Sequence, residues 1–230
     1  MTVSTSKSDN WKAEYTVGGI PSSFRSEPSG SVADFVEFLV HRGIKSGKAL
    51  DIGSGTGRNS IFLARSGFDV VSVDYVDTLV VNLNRIAEAE DLNIKAICHD
   101  IGTPWPVQTD SIDAAIDAFC FKHQIPEESV RLYANEIARV LRPGGHWMLS
   151  LAGKDDGYYR QFLDVSPDIN RGVIVDPANN IASILYEKSE VLSTFPVFAL
   201  DDYDHKIKSS LMHGREYRRS THIFFFRKLS

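Results

Sequence analysis

The chain has 230 residues, 43% of them hydrophobic and 24% charged, an ordinary globular composition long enough to bury a core without disulfide or metal staples. With 25 Lys+Arg against 30 Asp+Glu the net charge is −5, which argues against a protein that coats nucleic acid. No apolar run reaches the ~20 residues of a membrane helix, and the polar start MTVSTSKSDN lacks the apolar centre of a signal peptide; a cytoplasmic protein without membrane contact is expected.

In chain order, the Ser/Thr-rich residues 1–10 are expected to be disordered. Residues 11–30 carry aromatics, Gly and Pro without a period, and read as a short helix with an ordered loop or as a mobile lid. Val32, Phe35, Val36, Leu39 and Val40 stand at helical spacing, with Ser31 as the expected cap. An alternation follows. Strands are predicted at 48–52, 68–73, 93–98, 112–119 and 146–151. Helices are predicted at 59–65, 79–90 and 127–141, the last ended by Pro143-Gly144-Gly145. Such alternation means βαβ units and a doubly wound parallel sheet. The pattern then breaks. Residues 153–183, rich in Gly, Asp, Asn and Pro, form a connection long enough to be functional. A helix at 187–195 precedes two long strands, 197–209 and 218–228, that turn near Gly214 and add antiparallel pairing at one end of the sheet.

The most informative stretch is ALDIGSGTGRN, residues 49–59. A strand ends near Asp51, and Gly53, Gly55 and Gly57 follow before a helix, where doubly wound sheets bind ligands. Three loop chemistries compete. A phosphate-cradling loop ends in Gly-Lys-Ser/Thr, and here Gly57-Arg58-Asn59 stands instead. A dinucleotide loop places its third glycine one residue later and wants a small residue where Arg58 sits. The acidic G-x-G-x-G loop of S-adenosylmethionine sites fits without a mismatch. Asp74 ends the second strand at the spacing where a carboxylate reaches ribose hydroxyls, able to accept from both. Asp100 ends the third strand beside the same crevice, suited to an adenine amino group. Any one of these acids alone is as readily a turn residue; three successive strands ending in Asp are harder to dismiss.

On these residues the chain resembles the class I S-adenosylmethionine-dependent methyltransferases of the small-molecule branch, from about residue 30 to the end. ALDIGSGTG is similar to the family's first motif, Asp74 to its ribose acid and Asp100-Ile101 to its adenine turn. Residues 111–117, SIDAAID, resemble its fourth-strand segment, and Leu141-Arg142-Pro143-Gly144-Gly145 the turn into its fifth strand. The resemblance implies a seven-stranded sheet of order 3-2-1-4-5-7-6 with strand 7 antiparallel and helices on both faces. In that topology Cys98 and Cys120 lie too far apart for a disulfide. It also implies an S-adenosylmethionine-binding methyltransferase domain over 31–230, with residues 1–30 as an arm or lid over the active site. The cofactor, S-adenosylmethionine with S-adenosylhomocysteine as product, would lie against Trp11, Tyr15, Asp51, Gly53, Ser54, Gly55, Gly57, Asn59, Asp74, Tyr75, Asp100, Ile101, Asp117 and Phe119.

The cofactor brings the electrophile, so the protein needs mainly to align an acceptor, and no metal is called for. After the fourth strand comes DAFCFKHQ, residues 117–124, which lacks the Asn/Asp-Pro-Pro-Tyr/Phe signature of enzymes that methylate amide or exocyclic nitrogens. His123 is the candidate general base, its alternative a packing histidine before Pro126. Trp11, Tyr15, the run Gly18-Gly19-Ile20-Pro21-Ser22-Ser23 and Arg25 match the family's leading segment, with aromatic faces suited to a sulfonium. Tyr158, Tyr159 and Arg160, together with Lys122, suit an aromatic or anionic acceptor. The basic residues between 206 and 228 read as a solvated sheet face. A small-molecule methyltransferase, monomeric or homodimeric, is thus expected. The alternatives are a non-catalytic S-adenosylmethionine sensor and a nucleic-acid or protein methyltransferase using the basic hairpin.

Overall fold

The computed structural model describes residues 7–229. Of the segment expected to be disordered, residues 1–6 lie outside that range, while residues 7–10 open helix α1, Lys7–Val17, which is followed by a single turn α2, Pro21–Phe24. Helix α3, Gly30–His41, starts one residue ahead of its expected cap. It buries Val32, Phe35, Val36 and Leu39, while Val40 faces out.

The alternation appears as β1 (Gly47–Ile52), α4 (Arg58–Arg65), β2 (Phe68–Asp74), α5 (Asp77–Ala89), β3 (Ile94–Cys98), β4 (Ile112–Ala118), α6 (Glu127–Val140) and β5 (Leu141–Ala152). One boundary differs from expectation. Helix α6 ends at Val140, and Pro143-Gly144-Gly145 forms a bulge within β5, between the pairs Ile112–Leu141 and Ala114–His146. Proline lacks the N–H that a ladder needs, so the bulge is where the strand tolerates it.

The long connection contains a 3₁₀ segment, Tyr159–Val165, and a hairpin that the composition did not announce: β6 (Val173–Asp176) with β7 (Ile181–Ile184). Helix α7 (Lys188–Thr194) leads to β8 (Phe198–Met212) and β9 (Arg215–Lys228), which turn at His213-Gly214. The main sheet has the order β3-β2-β1-β4-β5-β9-β8, with β9 antiparallel to both neighbours. That is the expected order, counting the last hairpin as strands 6 and 7.

Strand periodicity sorts the core into two layers. In β5 and β9, Trp147, Leu149, Phe224 and Phe226 face a layer with Tyr133 and Ile137 of α6 and Val191 of α7. Met148, Ile223 and Phe225 face the opposite layer with Phe35 and Leu39 of α3 and Leu63 of α4. The sheet is therefore covered on both sides, which leaves ligand access at the carboxyl ends of β1, β2 and β4. The strand order reverses there, with β1 paired to β2 on one side and β4 on the other. Cys98 and Cys120 form no disulfide.

Candidate active site

The loop after β1 holds Gly53, Gly55 and Gly57 at φ 71°, 55° and 83°, the left-handed region that glycine enters without strain. It is clamped to β2. The N–H groups of Gly53 and Ser54 donate to the Val73 carbonyl at 2.8 and 3.1 Å, and Gly55 N–H donates to the Asp74 carboxylate at 2.8 Å. Missing side chains also create room. A Cβ on Gly53 would lie 2.4 Å from Cys120 Sγ, and one on Gly55 would lie 2.3 Å from the Tyr15 hydroxyl.

Two of the expected cofactor residues stand behind this loop and do not line the cleft. Asp51 accepts from Ser60 Oγ at 2.6 Å, and Ser60 in turn accepts from Ser72. Asp117 accepts from the N–H groups of Cys120 and Phe121 and from the Tyr133 hydroxyl at 2.6 Å. These carboxylates fix the β1–α4 and post-β4 turns, and burial pushes both up to about 7. Gly55 and Gly57 likewise lie beneath Tyr15 and Leu83. Asp100 is exposed at the rim, accepting from Gly102 N–H.

The cleft encloses about 1120 Å³, counted out to its mouth. One half is bounded by Ser54, Thr56, Asn59, Asp74, Tyr75 and Ile101. Asp74 takes Gly55 N–H on one oxygen and Val76 N–H on the other, and the Tyr75 N–H also bonds this carboxylate, which leaves acceptor capacity for a ligand hydroxyl. Its burial raises its pKa, so hydroxyl donors there would stabilise the ionised form. Ser54 Oγ is buried with no hydrogen-bond partner among the described residues, a cost that a polar ligand would remove. An orphaned hydroxyl, a carboxylate with acceptor capacity left and an apolar slot at Ile101 fit an adenosyl amino acid.

The other half is bounded by Phe119, Lys122, His123, Tyr159, Met212 and Arg219. His123 Nδ1 lies 2.7 Å from the Ala182 carbonyl; a carbonyl only accepts, so Nδ1 carries the proton and Nε2 is the basic nitrogen of the neutral ring. Lys122 is 2% exposed. Its Nζ sits 4.0 Å from the Tyr159 ring centroid, and burial, with Arg219 nearby, pushes it down to about 7. Arg219 donates from Nε to Asp156 at 2.7 Å. The fully buried Asp156 also takes the N–H groups of Tyr158, Tyr159 and Ser220.

The arm roofs both halves. Trp11, Tyr15, Ile20, Pro21 and Ser22 line the cleft, and Trp11 meets His123 edge-on at 5.0 Å. One buried acid pins this roof. Glu14 Oε1 accepts from Gly19 N–H, Ile20 N–H and Ser23 Oγ at 2.7–2.8 Å, and Oε2 accepts from Asn179 of the β6–β7 turn at 3.0 Å. Three expected acceptor residues lie elsewhere. Arg25 reaches Ser210 rather than the cleft, Tyr158 donates its hydroxyl to Asp176 at 2.8 Å, and Arg160 is exposed. Among the cleft residues that sequence reasoning missed, Arg58 was weighed only as a mismatch to a dinucleotide loop. Met212 and Arg219 come from the terminal hairpin, whose charge alternation marked it as a solvated face.

Residues 49–145 match the family described as a methyltransferase domain. The chain is 44% identical over 54 residues to the probable S-adenosyl-L-methionine-dependent methyltransferase TehB of Haemophilus influenzae, covering 24% of this chain and 19% of that one. It is 29% identical over 158 residues to the glycine/sarcosine N-methyltransferase of Aphanothece halophytica, covering 64% of this chain and 57% of the relative. The chain thus spans well under two thirds of the length of these curated relatives. Among solved structures, the 1,6-didemethyltoxoflavin-N1-methyltransferase of Burkholderia thailandensis, with its substrate and S-adenosylhomocysteine bound, superposes with a TM-score of 0.71. It is 16% identical, with 97% of this chain and 87% of that one covered. Residues 49–145 thus match a methyltransferase domain, and in its motif residues and sheet order the chain is similar to the class I S-adenosylmethionine-dependent methyltransferases.

Proposed function

We propose that the protein transfers a methyl group from S-adenosylmethionine to a small molecule, with residues 1–30 serving as an arm over the active site of the domain at 31–230. The observation that carries this reading is the cleft beside the glycine loop, where Asp74 and the orphaned Ser54 hydroxyl share one lining with Phe119, Lys122 and His123. The roof of Trp11, Tyr15 and Ile20–Ser22 favours a small acceptor over a nucleic-acid or protein chain, which could not thread beneath it without displacing the arm. Two similar proteins, the 1,6-didemethyltoxoflavin-N1-methyltransferase and the glycine/sarcosine N-methyltransferase, point the same way.

Bound in the first half, S-adenosylmethionine supplies a methyl group on a positively charged sulfur, which an acceptor lone pair takes as the carbon–sulfur electron pair returns to sulfur. The chain's own residues hold and exclude. Asp74 receives the ribose hydroxyls, Ser54 a polar group of the amino-acid end, and Tyr75 and Ile101 the base. Trp11 and Tyr15 present aromatic faces to a cation and keep water out. His123 Nε2 is placed to take a proton where the acceptor is a hydroxyl or a protonated nitrogen. An acceptor screen that reads S-adenosylhomocysteine release tests the proposal. Turnover abolished by Asp74→Ala is expected; a protein that binds neither S-adenosylmethionine nor S-adenosylhomocysteine would refute it.

A further inference from the structure

The second half of the cleft buries two cations, Lys122 and Arg219, whose N–H groups are mostly unused by the described residues, although Asp156, Asp176 and Glu14 lie nearby. Lys122 has no hydrogen-bond acceptor among the described residues, and it is 2% exposed. Its neighbours are rings, Tyr159 at 4.0 Å and Phe119 at 5.8 Å from the ammonium. Arg219, its guanidinium 5.0 Å from the same Tyr159 ring, spends only Nε on Asp156. The remaining N–H groups of Arg219 have no hydrogen-bond partner among the described residues, and its side chain lines the cleft.

The acids nearby are already spent. Asp156 takes four donors across its two oxygens, three of them backbone N–H groups. Asp176 takes the Tyr158 hydroxyl and the Ala178 N–H, with His213 Nε2 at 3.3 Å from its other oxygen. A buried cation without a partner is costly, and nothing in the fold requires a lysine at position 122, whose stem packs among aromatic rings.

We propose that the acceptor carries a carboxylate or a similar oxyanion, held by Lys122 and Arg219 against the Tyr159 ring. This rests on the methyl-transfer reading and specifies its substrate class. An oxyanion accepts several hydrogen bonds at once, which matches the rigid fork of Arg219 and the ammonium of Lys122. The aromatic wall of Tyr159 and Trp11 suits the body that bears the anion. With the anion fixed at Lys122, the rest of the acceptor is directed toward Phe119 and His123 and so toward the methyl group.

The test is a thermal-shift series on the full chain saturated with S-adenosylhomocysteine, at constant ionic strength. The probes are acetate, benzoate and inorganic phosphate, each set against a neutral control, acetamide or benzamide. The expected result is a rise in Tm with at least one anion and none with the amides. That rise persists in Lys122→Arg and is lost in Lys122→Met. A response to the carboxylates alone, or to phosphate alone, identifies which oxyanion the site takes. Equal response to anions and amides, no response to any anion, or an unchanged anion response in Lys122→Met overturns the inference. Failure of S-adenosylhomocysteine itself to shift Tm overturns the methyl-transfer reading instead.

Discussion

Asp74 and Lys122 carry the two halves of the cleft, and each makes a different demand. Asp74 joins the glycine loop through Gly55 N–H and still has acceptor capacity facing the cleft. Replacing it by Asn keeps the shape but removes the charge, and hydrogen bonds to a charged group are worth about 1.5–3 kcal/mol. Asp74→Asn should therefore weaken S-adenosylhomocysteine binding by roughly 10- to 100-fold, measured by calorimetry. Lys122 makes the opposite case, because burial costs the unliganded protein stability. Burial pushes its folded-state pKa down to about 7, below the ordinary lysine value of 10.5, so the charged form is penalised in the fold. That penalty is complete below pH 7 and is relieved as pH rises from 7 toward 10.5, where the folded state sheds its proton first. Lys122→Met should accordingly be the more stable protein at pH 6, by about 1–4 kcal/mol as for other buried charges replaced by apolar groups. The advantage should shrink as pH rises to 9. Denaturant titrations at both pH values measure this directly; a less stable Lys122→Met at pH 6 would mean that the ammonium is satisfied within the fold.

At the scale of elements, the strand ends and the arm set the electrostatics and closure of the site. The ends of β1 and β4 bury Asp51 and Asp117, both pushed up to about 7. Their folded-state pKa values lie above the unfolded ones, so the fold holds extra protons between about pH 4 and 7 and loses stability as pH rises through that window. Ionisation there also makes the site more negative. The methyl donor differs from its demethylated product by one positive charge, so its affinity relative to the product should rise between pH 5.5 and 8, and Asp51→Asn should flatten that rise. Parallel calorimetry with the two ligands checks it, and a ratio independent of pH would contradict it.

The arm depends on Glu14, which satisfies three donors of the 19–23 turn. Glu14→Ala strands those donors at about 1–3 kcal/mol for each one left buried. We expect faster proteolytic nicking within residues 7–29 and a Tm lowered by only a few degrees, because the sheet core does not involve this acid. Helix α1 adds an exposed ion pair, Lys12 with Asp77 at 3.1 Å, which contributes little by comparison.

For the molecule as a whole, legibility followed the range of the interactions. The parallel sheet and the glycine loop were readable because strand alternation, glycine spacing and strand-end acids are local patterns. The β6–β7 hairpin was not, since its strands have four residues each and sit among turn formers. Asp51 and Asp117 announced themselves as strand-end acids, but only tertiary structure distinguishes a carboxylate that takes ligand hydroxyls from one that takes Ser60 or Tyr133. Arg219 was least legible. It stands among charges that mostly pair with surface acids, as Lys206 does with Asp34 and Lys228 with Asp110, and only its place on β9 beyond the last β5 pair, opposite Lys208 of β8, brings it to the cleft. Tyr158 and Tyr159 adjoin in sequence, yet one braces Asp176 and the other lines the site.

The cleft beside the β1–α4 loop is expected to hold S-adenosylmethionine. The most direct test of this is isothermal titration calorimetry of the full chain with S-adenosylhomocysteine, beside the Asp74→Asn variant. One site per chain is expected in the parent, with a loss of roughly 10-fold or more in the variant. No binding of S-adenosylhomocysteine or S-adenosylmethionine by the folded parent protein, or equal binding by the variant, would contradict it.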